Sequence, residues 1–431
     1  MKRLTFIQLS DIHFRKNSGD PYDIDKPLQN AVIVDLLENA KNVFDVIDGV
    51  LVCGDIAFSG KPEEYEVALA FLDEVRNVFK IAPSKVYCVP GNHDVDHSII
   101  TGSMAIQAAQ RDIAEKDKKN PDIVDELIRK WQYEKNRKGL LYEPIASYNS
   151  TFEKMHSSFS VDNPNWLSKI QLNDQYEVLL YGLNSVLISN HMDHLDDNGN
   201  KMPDGERPMS ISKGQLPMKA KNTVILSLCH HPPQFWINQK ISEYLDHRVK
   251  IQLYGHIHTQ TLDANSQRIR IYSGALQPQR GDDWIPQYNW IQIYLDGANL
   301  VVDIYPRVYD DLEGTFVPQK EVCDEGKLFR QCVLNLSGQN NVPKTDCPAV
   351  AADVRDGGGE DAKAFVINEQ QKDIIYRLYT LTPSEEKRLR SAFPEETFLF
   401  DKDGIKRIIE WIQEEALTNK ILSILGGEND D

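Results

Sequence analysis

Five short motifs occur in one order along the chain: Asp11-Ile12-His13, Gly54-Asp55, Gly91-Asn92-His93-Asp94, His230-His231 and Gly255-His256-Ile257-His258. They supply carboxylate, imidazole and amide groups, the collection that a metal site needs, in numbers that suit two ions rather than one. Asp11 and His13 are two residues apart, so on extended backbone they point to one side. A hard carboxylate beside a borderline imidazole suits Mn, Fe or Zn. Asp55 follows Gly54, which lets backbone approach closely, and one carboxylate there can bridge two cations. Asn92 follows a Pro-Gly turn and offers a neutral carbonyl oxygen. His256 and His258 also alternate by two, and a twisted loop can send them to different ions. Each motif alone is common by chance. The full set in order, each after a predicted strand, points to metal binding.

The elements that must position these motifs alternate. Residues 4–10 read as an apolar strand ending at Asp11, and 26–46 as a helix with Leu28, Val32, Leu36, Leu37 and Val43 on one stripe. The run Gly49-Val-Leu-Val-Cys53 is continuously apolar, as expected of a strand buried on both faces. A helix over 63–79 and a strand over 85–89 complete β-α-β-α-β, which predicts a layered α/β sheet with metal residues at the carboxyl ends of strands. Residues 98–157 break this rhythm and read as an inserted helical cap. Strand patterns resume at 176–183, 223–229, 249–254, 269–273, 289–295 and 299–305. Residues 1–307 therefore read as a catalytic domain. Residues 308–365, rich in Gly, Pro, Asp and Asn, read as a linker, and 366–431 as a small helical domain.

The chain has 431 residues and a net charge of -17, from 48 basic and 65 acidic side chains. An acidic surface repels phosphate backbones at long range, which counts against a broad nucleic-acid footprint. No stretch approaches a membrane span. The N-terminal apolar run is too short for a secretion signal. Six cysteines without paired metal spacing read as free core thiols, so a cytoplasmic location is expected.

Gln8-Leu-Ser-Asp11-Ile-His13, Gly54-Asp55-Ile, Val89-Pro-Gly-Asn92-His93-Asp94 and Gly255-His-Ile-His258 resemble the calcineurin-like metallophosphoesterase superfamily. The tract Gly54 to Tyr65 resembles its cyclic-nucleotide phosphodiesterase-like branch. The resemblance covers roughly residues 1–307 outside the insertion. It implies a four-layer α-β-β-α sandwich and two divalent or trivalent ions drawn from Mn, Fe and Zn. One ion would be held by Asp11, His13, Asp55 and His258, the other by Asp55, Asn92, His230 and His256. His230 is preferred to His231 because it directly continues the apolar strand 223–228 and occupies the family's position. His231 would then stand behind the ligands or on the substrate side.

The implied reaction is hydrolysis of a phosphodiester or phosphomonoester by a metal-activated water. His93, beside Asn92, would donate a proton to the leaving oxygen, with Asp94 holding its tautomer. Arg15 and His194 are candidate substrate contacts. A small nucleotide-like ester is the leading substrate, with the insertion as a lid. A nuclease is the alternative, since Arg129 to Lys138 interleaves bases with aromatics. A third reading makes 366–431 an adaptor in a signalling or defence effector, binding a protein partner or a second copy.

Overall fold

The computed structural model describes residues 2–16, 25–134, 138–195, 207–277, 285–336 and 391–393. The expected 366–431 helical domain lies almost wholly outside them. The chain divides into one compact unit, Met1–Asn341, and a second, Val342–Asp431. The described strands in chain order begin with β1 (Arg3–Leu9), β2 (Gly49–Val52), β3 (Val86–Cys88), β4 (Asn165–Gln171), β5 (Glu177–Leu183) and β6 (Thr223–Leu228). They continue with β7 (Ile251–Tyr254), β8 (Thr261–Ala264), β9 (Ile269–Tyr272), β10 (Gln287–Asp296), β11 (Asn299–Asp310), β12 (Thr315–Pro318) and β13 (Arg330–Asn335).

They form two sheets. The first runs β12-β11-β10-β1-β2-β3, with β13 also on β11; the second runs β4-β5-β6-β7-β9-β8. β1, β2 and β3 are parallel neighbours, and so are β5, β6, β7 and β9. Alternation along β5 and β6 explains the layering. Val178, Leu180, Val224, Leu226 and Leu228 join one core with Phe6, Val50, Val52 and Ile291 of the first sheet. Leu179, Leu183 and Ile225 point the other way, to Ile241 and Leu245 of the helix Gln239–Arg248. A strand with both faces covered must be apolar throughout, as these runs are. The helix Pro62–Val78 buries Tyr65, Ala68, Phe71, Leu72 and Val75 at helical spacing. The architecture is the expected helix-sheet-sheet-helix sandwich.

The insertion is helical as expected. Helices span His97–Thr101, Met104–Asp117, Ile123–Glu134 and Ala146–Phe152. Asp96 and Ser103 cap the first two by accepting from Ser98 N and Ile106 N. Ile106, Ala109, Ile113, Val124 and Leu127 bind the insertion into the main core.

One boundary is corrected. Residues past 307 continue the first sheet, because Arg307–Asp310 pair with β12 and Asn299–Ile304 with β13. The composition that suggested a linker belongs to edge strands: β13 alternates buried Cys332 and Leu334 with exposed Val333 and Asn335, and Gly314 (φ 66°) turns the β11–β12 hairpin. Any linker begins beyond Leu336.

A buried charge network ties the first helix to this sheet. Asp35 accepts from Arg307 Nε (2.9 Å), from Arg307 Nη2 and from the Tyr288 hydroxyl, and all three side chains are buried. Arg307 also donates to Phe316 O (2.8 Å) and lies on the Trp290 ring. Asp35→Ala would leave a buried guanidinium without its counter-charge. That variant is expected to lose about 3–5 kcal/mol of stability, read as a lower urea midpoint at constant slope. An unchanged midpoint would refute the assigned role.

Candidate metal centre

Each motif leaves the end of a parallel strand. Asp11 and His13 follow β1, Asp55 follows β2 and Asn92 follows β3; His230 follows β6, and His256 and His258 follow β7. The first sheet thus contributes three neighbouring loops, the second two, and they meet at one place. His258 Nε2 lies 3.2 Å from Asp11 Oδ1. His230 Nε2 lies 3.1 Å from Asn92 Oδ1, 3.2 Å from His256 Nδ1 and 3.3 Å from Asp55 Oδ2. Asp55 Oδ2 is also 4.0 Å from His13 Nε2. The Asp55 carboxylate therefore stands between His13 and His230.

The backbone reaches this arrangement at a conformational cost. Eight described non-glycine residues have positive φ, and five of them are Asp11, His13, Asp55, His256 and His258. Such conformations are uncommon for these residue types and concentrate at functional sites. Cross-loop hydrogen bonds hold them: Asp11 N to Gly54 O (3.1 Å), Ile12 N and His13 N to Asp55 O (2.9 and 3.0 Å), and Gly255 N to His230 O (3.1 Å). The glycines are spacers. A Cβ on Gly54 would lie 2.7 Å from His230 Cβ, and one on Gly91 would collide with Asp55 Oδ1.

The donor set fits metal ions. Asp11, His13 and His258 offer ligand atoms within 4.8 Å of one another, as do Asp11, Asp55 and His230. With metal–ligand bonds of about 2.1 Å, adjacent ligand atoms sit about 3.0–3.4 Å apart, close to the spacings here. His13 is buried, yet among the described residues neither ring nitrogen has a hydrogen-bond partner. Native structures rarely leave such atoms unsatisfied without an ion or a function. Burial lowers the His13 pKa to about 4, so its ring is neutral at neutral pH, as a ligand must be. Burial alone would raise Asp11, but His258 and His230 outweigh it and bring the carboxyl down to about 2. Asp55 is likewise held well below the ordinary value, with burial overcome by His230 and His93.

The remaining candidates separate into distinct roles. His93 Nδ1 donates to Phe58 O (2.8 Å), and its ring edge meets His13 with centroids 4.5 Å apart. The expectation that Asp94 holds the His93 tautomer is therefore corrected. Asp94 is fully buried and accepts from Ala57 N (2.9 Å), Gly91 N (2.9 Å), Ile56 N (3.1 Å) and Tyr65 Oη (2.9 Å). It ties the Asp55 loop to the Asn92 loop, and the Phe58 carbonyl is the His93 acceptor in place of the Asp94 carboxylate. His231 is fully buried with Nδ1 2.8 Å from Ser185 Oγ and its ring 4.4 Å from His256. It offers a ligand atom within 4.8 Å of those of His230 and His256. Arg15 is exposed and lies over the Phe58 ring, 3.7 Å from its centroid.

A cavity of about 360 Å³ opens beside Asn92 and His93. Phe58, Lys61, His97, His191 and His194 help line it. His194, the candidate substrate contact, is among these lining residues. His97 and His191 line the same cavity. His97 follows Asp94 by three residues at the start of the insertion, and that proximity to the third motif was the available signal. The basic-aromatic stretch is partly tied down: Trp131 Nε1 donates to Asp112 (3.1 Å) and Lys138 pairs with Asp162.

Fold and centre together define a two-sheet α/β protein with a histidine–carboxylate metal constellation at its strand ends. The sequence model of the calcineurin-like phosphoesterase family matches residues 4–260, and the chain belongs to that family. It is 37% identical over 87 residues to the glycerophosphodiester phosphodiesterase GpdQ of Enterobacter lignolyticus, a match spanning 20% of this chain and 28% of that protein. The chain thus spans less than a third of that relative. Among solved structures it is similar to GAP50, the anchor in the inner membrane complex of Plasmodium (10% identity, 78% and 89% of the two chains, TM-score 0.36). It is also similar to a conserved Streptococcus pneumoniae protein described as a predicted phosphoesterase (11% identity, 77% and 99% covered, TM-score 0.28). No helix among the described residues is long and apolar enough to cross a membrane.

The Gly91 contact gives a direct test of the arrangement. Gly91→Ala is expected to push the Asp55 carboxylate out of place and lower metal content by about 10-fold or more at limiting metal, the range seen when ligand orientation is disturbed. Elemental analysis after dialysis would measure it, and wild-type occupancy would show that the loop yields instead.

Proposed function

We propose that this protein is a metal-dependent phosphoric ester hydrolase with a dinuclear centre. Asp11, His13, Asp55 and His258 hold one ion, and Asp55, Asn92, His230 and His256 the other. The observation that carries this reading is the position of Asp55 Oδ2, 3.3 Å from His230 Nε2 and 4.0 Å from His13 Nε2. When bound, two cations supply Lewis-acid polarisation of the phosphoryl oxygens and a nucleophile from water at neutral pH.

The chain's own groups do the rest. The Phe58 carbonyl holds the His93 Nδ1 proton, so the imidazolium form, protonated at both nitrogens, gives its Nε2 proton to the departing oxygen and is left as the neutral ring. Arg15, steadied on the Phe58 face, is placed to receive a phosphate oxygen as the substrate enters. Asp94 fixes the relative position of the Asp55 and Asn92 loops. The cavity beside His93, walled by Val95, Asp96, His97 and Ser98 at the root of the insertion, suits a small nucleotide-like diester or monoester. Its volume is at the lower end of ligand pockets, typically about 300–1,000 Å³.

The test is a substrate panel on the manganese-loaded, full-length protein: bis-p-nitrophenyl phosphate, p-nitrophenyl phosphate, cyclic mononucleotides, and single- and double-stranded DNA. Turnover of small esters with DNA untouched supports the proposal, whereas DNA cleavage alone would replace it with a nuclease. We further propose that residues 366–431 form a separate unit for a protein partner or a second copy. A chain ending after Leu336 should then keep full turnover, and an insoluble product would refute that independence.

A further inference from the structure

A second cavity, of about 500 Å³, adjoins the first and shares Asn190, His191 and Asp193 with it. Its far wall is one face of the inserted helix Met104–Asp117 and the residue after it. Gln107, Arg111, Ala114 and Lys118 recur on that face at helical spacing. We propose that this chamber binds an anionic group carried by the substrate away from the scissile phosphate, held between Arg111 and Lys118. The substrate class is then a phosphoester with a second anionic group. This rests on the hydrolase reading above and deepens it.

Charge carries the inference. The chain has a net charge of -17, yet Arg111, Lys118 and Arg207 meet on this cavity against Glu115 and Asp193. The Asp193 carboxylate is already occupied, accepting from Ser189 Oγ (2.6 Å) and Asn190 N (2.9 Å). Arg207 is anchored by Nε to Met192 O and Leu195 O, both at 3.0 Å, which fixes its position on the wall. Arg111 and Lys118 are exposed, and among the described residues no carboxylate pairs with either. Cations grouped in a concave site on an acidic protein focus field toward an incoming anion.

The route between the cavities is short in residue terms. Asn92 and His93 border the first cavity, His191 borders both, and Arg111 borders the second. The floor is rigid. Gln110 is buried, and its amide nitrogen donates to Leu187 O (3.3 Å) and Ser189 O (3.1 Å), while its oxygen accepts from Asn190 Nδ2 (3.2 Å). These bonds hold the inserted helix against the 187–190 segment, so the cations keep their distance from the metal residues. The insertion thereby selects substrates by charge as well as by size.

The experiment compares matched ligands on the intact, manganese-loaded protein. The p-nitrophenyl ester of thymidine 5'-phosphate is assayed with and without a 3'-phosphate. Binding of thymidine 5'-phosphate and thymidine 3',5'-bisphosphate is measured by calorimetry. The second phosphate is expected to improve kcat/KM and affinity about tenfold, in line with charge-assisted hydrogen bonds to exposed side chains. In the Arg111→Gln/Lys118→Gln variant both ratios should fall toward one, and Arg111→Glu should turn the preference into discrimination. A ratio near one in the wild type, or one unmoved by these variants, would overturn the chamber. Absence of turnover on either ester would overturn the hydrolase reading, and a variant-sensitive binding ratio would then uphold the anion chamber alone.

Discussion

Asp55→Ala is expected to give a folded protein that retains neither ion and has lost activity on every ester by more than about 100-fold. Disturbing a group that merely orients a metal ligand typically costs about 10–100-fold in affinity, and the proposed centre makes Asp55 a ligand to both ions at once. Its Oδ2 approaches His230 and His13, and its Oδ1 accepts from His93 N (2.8 Å). The alanine variant removes the shared charge while the Asp55 carbonyl goes on accepting from Ile12 N and His13 N, so the backbone frame is kept. Elemental analysis alongside far-ultraviolet circular dichroism reads both consequences. Native circular dichroism with two ions still bound per chain would eliminate the bridging assignment. Loss of one ion only would make Asp55 a terminal ligand and move the bridge elsewhere. Asp55→Asn keeps the shape without the charge, so it separates a missing ligand from a missing side chain.

The candidate metal residues were legible because each follows an apolar run. Leu4 to Leu9, Val50 to Val52 and Val224 to Leu228 are buried strands whose apolar pattern is visible in one dimension, and a polar ligand directly after such a run has few other uses. Edge strands gave no such signal. β4 exposes Leu167, Lys169 and Gln171, and β13 exposes Arg330, Val333 and Asn335, so neither strand shows a continuous apolar run. That is why the sheet was ended at 307 and its last strands were assigned to a linker.

Side-chain partners chosen across the fold were the least legible. Asp94 adjoins His93 in sequence, yet its carboxylate serves the Ile56 and Ala57 amides more than thirty positions away. The His93 imidazole is held by a backbone carbonyl, a group that every residue carries and no residue type announces. His97 and His191 lack ligand spacing because what brings them to one cavity is the insertion's packing, which periodicity alone does not specify. Positive φ at five metal residues is a consequence of loops meeting, and it too has no trace in residue type outside glycine.

His93→Ala tests the second half of the chemistry, since it should keep both ions and lose rate selectively. A proton donor matters in proportion to how badly the leaving oxygen needs a proton. Alkyl esters, whose alkoxide is a poor leaving group, should slow by about 10²–10⁴-fold, the usual contribution of a positioned acid. p-Nitrophenyl esters release a stable phenolate and should slow far less. Metal content should stay at the wild-type value, because the Asp55 contact at this position comes from the His93 backbone amide, which alanine retains. Phe58→Ala supplies the complementary variant. It keeps the carbonyl that orients His93 but removes the ring under Arg15, so it should raise KM while leaving the leaving-group dependence intact. Equal losses for alkyl and p-nitrophenyl esters in His93→Ala would show that His93 binds or shapes the site without donating a proton. The proton would then have to come from solvent, and the Phe58–His93 hydrogen bond would be part of the cavity wall alone.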